Sequence, residues 1–251
     1  MAANTNIGWT DATWSPITGC SKVSPGCAQC YAERITQTRL KKDFSQVICH
    51  EGRLNWPQQW KGSAMPRRGL GARSMIFVCD MSDLFHPDVP PEFLDEVMGV
   101  IHFSPQHDFQ ILTKRPERAC QWRDNCCWWG GGDHASNLWF GVSAENQKWL
   151  DARWPHLAAF SHPIPAVRFL SLEPLLGRVD LTRCFAHRED YTAFWVIVGG
   201  ESGPGHRPME IKWLEDIVAQ CRSAGVPAFV KQDSGRFPGR QGHIPDDLWA
   251  V

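Results

Sequence analysis

The chain has 251 residues, 43% of them hydrophobic and 21% charged. That is enough apolar material for a packed α/β domain and too much for a disordered segment. Its 26 basic and 27 acidic residues leave a net charge of -1, which excludes an overall polybasic chain, and its ten cysteines are too sparse for a disulfide-stapled scaffold.

The charge is unevenly spread. Residues 1–74 hold 10 Lys/Arg and 4 Asp/Glu, and the remainder carries the acidic excess. The first 20 residues contain Asn4, Asn6 and Asp11 and lack an apolar signal-peptide core. The apolar runs, such as Phe194–Val198, are too short to span a bilayer. The expectation is a cytoplasmic protein with no membrane partner and with reduced thiols.

In chain order, residues 14–34 read as a cysteine-bearing loop and a following helix. The loop, Gly19-Cys20-Ser-Lys-Val-Ser-Pro-Gly-Cys27-Ala-Gln-Cys30-Tyr31, places three thiols within eleven residues. Thiolates select zinc, copper(I) or iron–sulfur clusters over hard cations. A structural zinc needs a fourth ligand, for which Cys49 and His50 are candidates at an unusual spacing. Three cysteines alone suit a cubane cluster with one iron left open. The segment 35–74 reads as a basic, loop-rich insertion. Residues 34–73 hold nine Lys/Arg interleaved with Phe44, Trp56 and Trp60, a pattern that fits either a nucleic-acid surface or a solvated loop anchored by its tryptophans.

Six short apolar runs follow: Met75–Asp80, Phe109–Thr113, Leu138–Ser143, Arg168–Glu173, Phe194–Gly199 and Ala228–Gln232. Runs of this length and spacing predict strands buried on both faces of a parallel sheet. Helical spacing appears after Pro90-Pro91 (Phe93, Leu94, Val97, Met98, Ile101), over 145–160 with an interruption at Pro155, and at Ile211, Leu214, Val218 and Cys221, which Gly225 and Pro227 terminate. Leu175–Phe194 reads as an irregular connection. Residues 120–137, with Cys126-Cys127-Trp128-Trp129 and a glycine run, read as a surface loop.

Alternating strands and helices predict a single α/β domain over 1–251, a partial or full parallel β/α barrel. The barrel is preferred to an open doubly wound sheet because nearly every strand candidate ends in polar side chains: Asp80 and Asp83, Lys114 and Arg115, Ser143 and Glu145, Glu173, Glu201, then Lys231 with Gln232.

Eight ordered motifs carry a family resemblance. They are Trp9-Thr-Asp-Ala-Thr-Trp14, the three-cysteine loop with Tyr31-Ala-Glu-Arg34, Met81–His86, Leu112-Thr-Lys-Arg-Pro116, Gly141–Asn146, Leu170–Leu176, Val198–Gly203 and Val230-Lys-Gln232. The sequence resembles the phage-associated three-Cys-motif family, also called the phage gene product 37/68 family, whose function is unassigned and which is viewed as radical-SAM-like. The resemblance implies a partial β/α barrel with a [4Fe–4S] cluster that cleaves S-adenosylmethionine to a 5′-deoxyadenosyl radical. It makes Cys20, Cys27 and Cys30 the iron ligands. Tyr31, Asp80, Ser82, Gly199, Gly200 and Glu201 become the cofactor-binding candidates. Glu173, Lys114 and Lys231 are the catalytic candidates, Glu173 as acid/base or orienting group and the lysines as binders of a carboxylate or phosphate.

Two departures stand out. Six residues separate Cys20 from Cys27, more than in the usual radical-SAM spacing, and Gly199-Gly200-Glu201 comes far later in the chain than the corresponding family segment. The role of Glu201 therefore stays open. The resemblance also raises a separate partner protein. The alternative reading is a zinc-stabilised nucleic-acid-binding or adaptor protein without catalysis.

Overall fold

The apolar runs become strands because β-branched and aromatic residues pack on both faces of one sheet. In the computed structural model, which describes residues 5–69, 71–125, 134–160, 164–186 and 193–249, seven strands form it. They are β1 (Ala12–Trp14), β4 (Ser74–Val78), β5 (His107–Thr113), β6 (His134–Ser143), β7 (Ile164–Leu172), β8 (Phe194–Val198) and β9 (Ala228–Val230). Their order is β1-β4-β5-β6-β7-β8-β9, and every neighbouring pair is parallel. The sheet curls into a half-barrel. Two further short strands, β2 (Ile17–Thr18) and β3 (Ile48–Cys49), pair antiparallel beside it.

Helices α2 (Trp56–Gln59), α3 (Pro91–His102), α4 (Pro116–Asn125), α5 (Gln147–Ala159), α6 (Thr182–Phe185), α7 (Ile211–Ala224) and α8 (Asp246–Trp249) pack on the outer face, whereas α1 (Tyr31–Thr38) lies at the strands' C-terminal end, with the Tyr31 hydroxyl on the Asp80 carbonyl and Arg34 beside Gly203. The proline pair opens α3, and Gly225 closes α7 in the left-handed region at φ 61°, as the spacing predicts. Two expectations change. Pro155 lies inside α5 and does not interrupt it, and the connection after Glu173 contains the short helix α6. The loop expected over 120–137 narrows, because 120–125 close α4 and 134–137 open β6. Its Cys126–Trp129 centre lies outside the described residues.

Successive strand residues face opposite sides, so the sheet sorts its apolar residues into two cores. Ile76, Val78, Phe109, Ile111, Leu138, Phe140, Leu170, Leu172, Val196 and Val198 join the large cluster under the helices. The alternate residues Phe77, Leu112, Trp139, Phe169, Trp195, Ile197 and Phe229 fill the concave side together with Trp9. Trp9 comes from the segment before β1 and plugs the bottom. Its ring centroid lies 4.7 Å from Phe77, 6.3 Å from Trp195 and 6.5 Å from Phe169. The half-barrel is thus a cup with an aromatic floor. Among the described residues no helix is long and apolar enough to cross a membrane.

Candidate active site

The period of two that sets the floor also sets the mouth. Residues two or four positions beyond the floor on the same face are Lys114 after Leu112, Ser143 after Trp139, Ser171 and Glu173 after Phe169, Gly199 after Ile197, and Lys231 after Phe229. They form a polar layer of two hydrogen-bonded groups. Lys114 Nζ donates to Ser143 Oγ at 3.1 Å. Lys231 Nζ pairs with Glu173 Oε1 at 2.9 Å, and Ser171 Oγ donates to Glu173 Oε2 at 3.3 Å. Gly199 lies where an added Cβ would come within 3.1 Å of Glu173 Oε1. The structure therefore brings Glu173, Lys231 and Gly199 together at the ends of β7, β9 and β8, while Lys114, after β5, is separated from them by β6.

Asp80 and Ser82 sit at the opposite side of the mouth. Cys79 leaves β4 in the left-handed region at φ 61°, an uncommon conformation outside glycine that turns the chain sharply. Asp80 accepts from Ser15 Oγ through its carboxylate and from the Tyr31 hydroxyl through its carbonyl. Ser82 Oγ donates to the Gly19 carbonyl at 2.5 Å. The Tyr31 ring stays exposed at its edge while its hydroxyl end is enclosed. Burial first, then the Asp80, Cys30 and Glu173 charges, push that phenol well above its usual range.

The loop between β1 and α1 arches over this layer. Cys20 follows Gly19, Cys27 ends a three-residue 3-10 turn (Pro25–Cys27), and Cys30 caps α1. All three are free and partly exposed. Burial, and next the Asp83 carboxylate, raise the Cys20 thiol to about 11 despite the nearby Arg115 guanidinium. Ser21 holds the loop sideways: Arg115 Nη2 donates to its carbonyl and hydroxyl at 3.0 and 2.8 Å, and its hydroxyl bonds His86 Nε2 at 2.7 Å. Asp83 ties the base of this corner by accepting from Thr113 Oγ1 at 2.7 Å and from the Lys114 amide at 2.9 Å.

Two carboxylates from different strand ends fix the Pro25–Cys27 turn. Glu145 Oε1 accepts from the Gly26 amide at 2.9 Å, and its other oxygen pairs with Arg153 Nη1 at 3.1 Å. Arg153 also donates to the Ser143 carbonyl at 2.7 Å and lies 4.3 Å from the Trp149 ring centroid. Burial would raise the Glu145 carboxyl, but bonds from Ser24 and Gly26 and the Arg153 charge outweigh it and hold the group below its usual range. Glu201 works through Arg207. That arginine donates to both Glu201 oxygens, at 2.9 and 2.5 Å, and reaches the Pro25 carbonyl at 2.9 Å. Burial likewise opposes and Arg207 overrides, so Glu201 is also held low.

These contacts place the expected residues unevenly. The Glu201 carboxylate is committed to Arg207, so the structure uses it to brace the cysteine loop. Gly200 is required by its own neighbours, because a Cβ there would come within 2.3 Å of the Ser234 amide. His50 bonds the Thr18 hydroxyl at 2.8 Å, and Cys49 sits in the β2–β3 pair, so neither turns to the loop. In the basic segment, Arg67, Arg68 and Arg73 pair with Asp11 and Asp108 at the N-terminal end of the sheet. Trp56 stacks on Trp60 and Trp60 on His107, each at 5.1 Å, so these rings are spent on each other.

Chemically the three thiols are a soft donor set from one loop, suited to iron–sulfur or zinc. As placed, no three His, Cys, Asp or Glu side chains among the described residues converge on a common metal position. The donor types fit a three-cysteine cluster, and loading requires the loop to gather its sulfurs. Arg153, Arg207 and Ser15 were not singled out in the sequence. Glu145 lies outside α5, which holds Arg153, and Glu201 and Arg207 both lie in a loop, so neither pair falls within one regular element and periodicity gives no signal for either.

Residues 4–241 match the model of a family described as a protein of unknown function, DUF5131. No curated protein matches the sequence. Two solved structures are similar in fold. Spore photoproduct lyase complexed with dinucleoside spore photoproduct aligns with a TM-score of 0.57 at 10% identity, over 85% of this chain and 75% of that one. A point mutant of spore photoproduct lyase aligns at 0.53 and 12%, over 84% and 74%. At these identities the likeness establishes the fold, a radical-SAM-like partial β/α barrel.

Proposed function

From the premise that this chain belongs to the DUF5131 family, we propose that it is a radical-SAM-type iron–sulfur enzyme acting on a nucleic acid. One observation carries the reading: three free thiols lie on the loop directly above a polar, cation-bearing mouth at the C-terminal end of a radical-SAM-like half-barrel. That is the end at which barrels of this kind place their chemistry. The nucleic-acid class is suggested by the relative complexed with a dinucleoside photoproduct.

Cys20, Cys27 and Cys30 would hold the cluster. When bound, it would pass an electron from an external donor to S-adenosylmethionine and so cleave it, the hard step belonging to the cofactor. The chain's own residues orient and shield. Glu145 and Glu201, the latter through Arg207, hold the Pro25–Cys27 turn in place. Asp80, Tyr31 and Ser82 tie the other end of the loop to β4. Lys231 and Glu173 present a charge pair at the mouth, with Glu173 the group that accepts from an ammonium or hydroxyl. Lys114, hydrogen-bonded to the neutral Ser143, is the cation available to an anionic group. The aromatic floor closes the cup below and keeps water out of its base.

The test is metal analysis of protein isolated without oxygen, followed by EPR after reduction with and without S-adenosylmethionine. About four irons per chain, lost in Cys27→Ala, with a signal changed by S-adenosylmethionine, supports the reading. About one zinc per chain and no iron overturns it and leaves the zinc-stabilised nucleic-acid-binding protein. The basic segment 34–73, a separate partner protein and the phage association remain companion proposals.

A further inference from the structure

Beyond β9 the chain forms a loop, Ser234-Gly-Arg236-Phe237-Pro-Gly239-Arg240, that none of the chemistry above uses. Phe237 is 58% exposed, although it is a large apolar ring. The guanidinium carbons of Arg236 and Arg240 lie 5.9 and 6.0 Å from its ring centroid. Among the described residues neither arginine forms an ion pair. Around the ring, residues 238–243 are Pro, Gly, Arg, Gln, Gly and His, all exposed. The patch is thus one aromatic face in a cationic, hydrophilic surround, unlike the apolar centre of a protein–protein interface.

The loop is pinned. The Asp233 amide donates to the Arg240 carbonyl at 3.0 Å, and the Gly239 amide donates to Gln232 Oε1 at 2.9 Å. Asp233 Oδ2 accepts from the His243 amide at 2.8 Å. Gly235 pairs with Glu201 and Gly203, which joins this loop to the one whose Arg207 braces the cysteine turn. Arg236 lies five residues past Lys231 of the mouth, so the patch stands on the rim of the cup.

We infer that Arg236, Phe237 and Arg240 form a contact site for single-stranded nucleic acid, with one base stacked on Phe237 and the flanking phosphates on the two arginines. Every base has a face that an aromatic ring can stack on, and guanidinium suits phosphate. A ring already held in a pinned loop loses little freedom on binding. Inside a duplex the base faces are covered, so the site favours an unpaired or extruded nucleotide. The inference deepens the nucleic-acid part of the proposed function and takes its polymer class from it. It does not depend on the cluster chemistry.

The experiment uses the full chain as isolated and a fluorescein-labelled oligothymidylate of about 15 nucleotides, with anisotropy read between about 50 and 200 mM salt. The wild type binds. Phe237→Ala weakens binding about tenfold or more, Phe237→Trp restores it, and Phe237→Leu does not. Arg236→Ala with Arg240→Ala weakens binding and flattens the logarithmic salt slope by about 1.4, two phosphates at about 0.7 each. Unchanged melting temperatures confirm that exposed positions were altered without unfolding. The inference is overturned if the wild type does not bind, if it binds the matching duplex as tightly, if Phe237→Leu binds like wild type, or if the arginine variant keeps the full slope. Failure of the cluster reading appears separately, as missing iron in protein that still binds the strand.

Discussion

Removing the Glu145 carboxylate tests how the cysteine turn is held. The ion pair it makes is shut away from water, with Glu145 0% and Arg153 1% exposed. In Glu145→Ala the Arg153 guanidinium keeps the Ser143 carbonyl and the Trp149 face but has no counter-charge. Its Nε and Nη2 already lack hydrogen-bond partners. Leaving one half of a buried pair uncompensated costs about 3–5 kcal/mol. That is a large part of the roughly 5–15 kcal/mol available to a domain. For a chain of this size it corresponds to a fall in Tm of about 2–4 °C per kcal/mol, or roughly 10 °C in all. The Gly26 amide also loses its acceptor, so the Cys27 thiol should react faster with a thiol reagent under native conditions. Substituting both partners, Glu145→Ala with Arg153→Met, removes the stranded charge and should recover most of the lost stability. Urea unfolding of the wild type, both single variants and the double variant measures this. A Glu145→Ala loss under about 1 kcal/mol, or a double variant no better than Glu145→Ala, refutes the argument.

The Lys231–Glu173 pair is open to solvent on the lysine side, so Glu173→Gln or Lys231→Met should change stability by about 1 kcal/mol or less while weakening S-adenosylmethionine binding in calorimetric titration. Trp9→Ala removes the centre of the aromatic floor and should cost about 3–5 kcal/mol, read as a shift of the urea midpoint. Glu145 and Glu201 are held below the usual carboxylate range in the folded state. Their stabilisation is complete above the unfolded-state value of about 4.3 and is lost as pH falls through the lower folded values. Glu145→Gln should therefore show a shallower acid limb when tryptophan fluorescence is followed from about pH 6 to pH 3, and an unchanged limb would count against the assignment.

The six main strands and the polar residues at their ends were legible because buried parallel strands are short continuous apolar runs, and the residue after each run leaves the sheet at the same end. Strand β1 was not, since Ala12–Trp14 has Thr13 at its centre and Asp11 and Ser15 on either side and so shows no apolar run. Helix α4 was not, because its buried residues are only Pro116, Ala119 and Trp122 among polar neighbours. Pro155 looked like a break, yet packing of Leu150, Trp154 and Leu157 carries α5 past it. At the site, the three cysteines, Glu173 and Lys231 could be named one by one from residue type and strand position, but neither showed that Lys231 pairs with Glu173. The work of Glu201 could not, because its partner Arg207 and the Pro25 carbonyl meet only when three separate loops come together. For the basic segment the sequence offered two readings, a nucleic-acid surface or a loop anchored by its tryptophans, and residue type alone could not show that Trp60 stacks between Trp56 and His107.

A curled sheet that stops short of closing keeps two free strand margins, and unpaired margins are where sheets of different molecules join. In this one the strands shorten toward both sides. β6 and β7 in the middle have ten and nine residues, whereas β1 and β9 at the margins have three each. A three-residue margin offers too few amide and carbonyl groups to template a second chain. The same taper that leaves the cup open at its side thus guards it against aggregation.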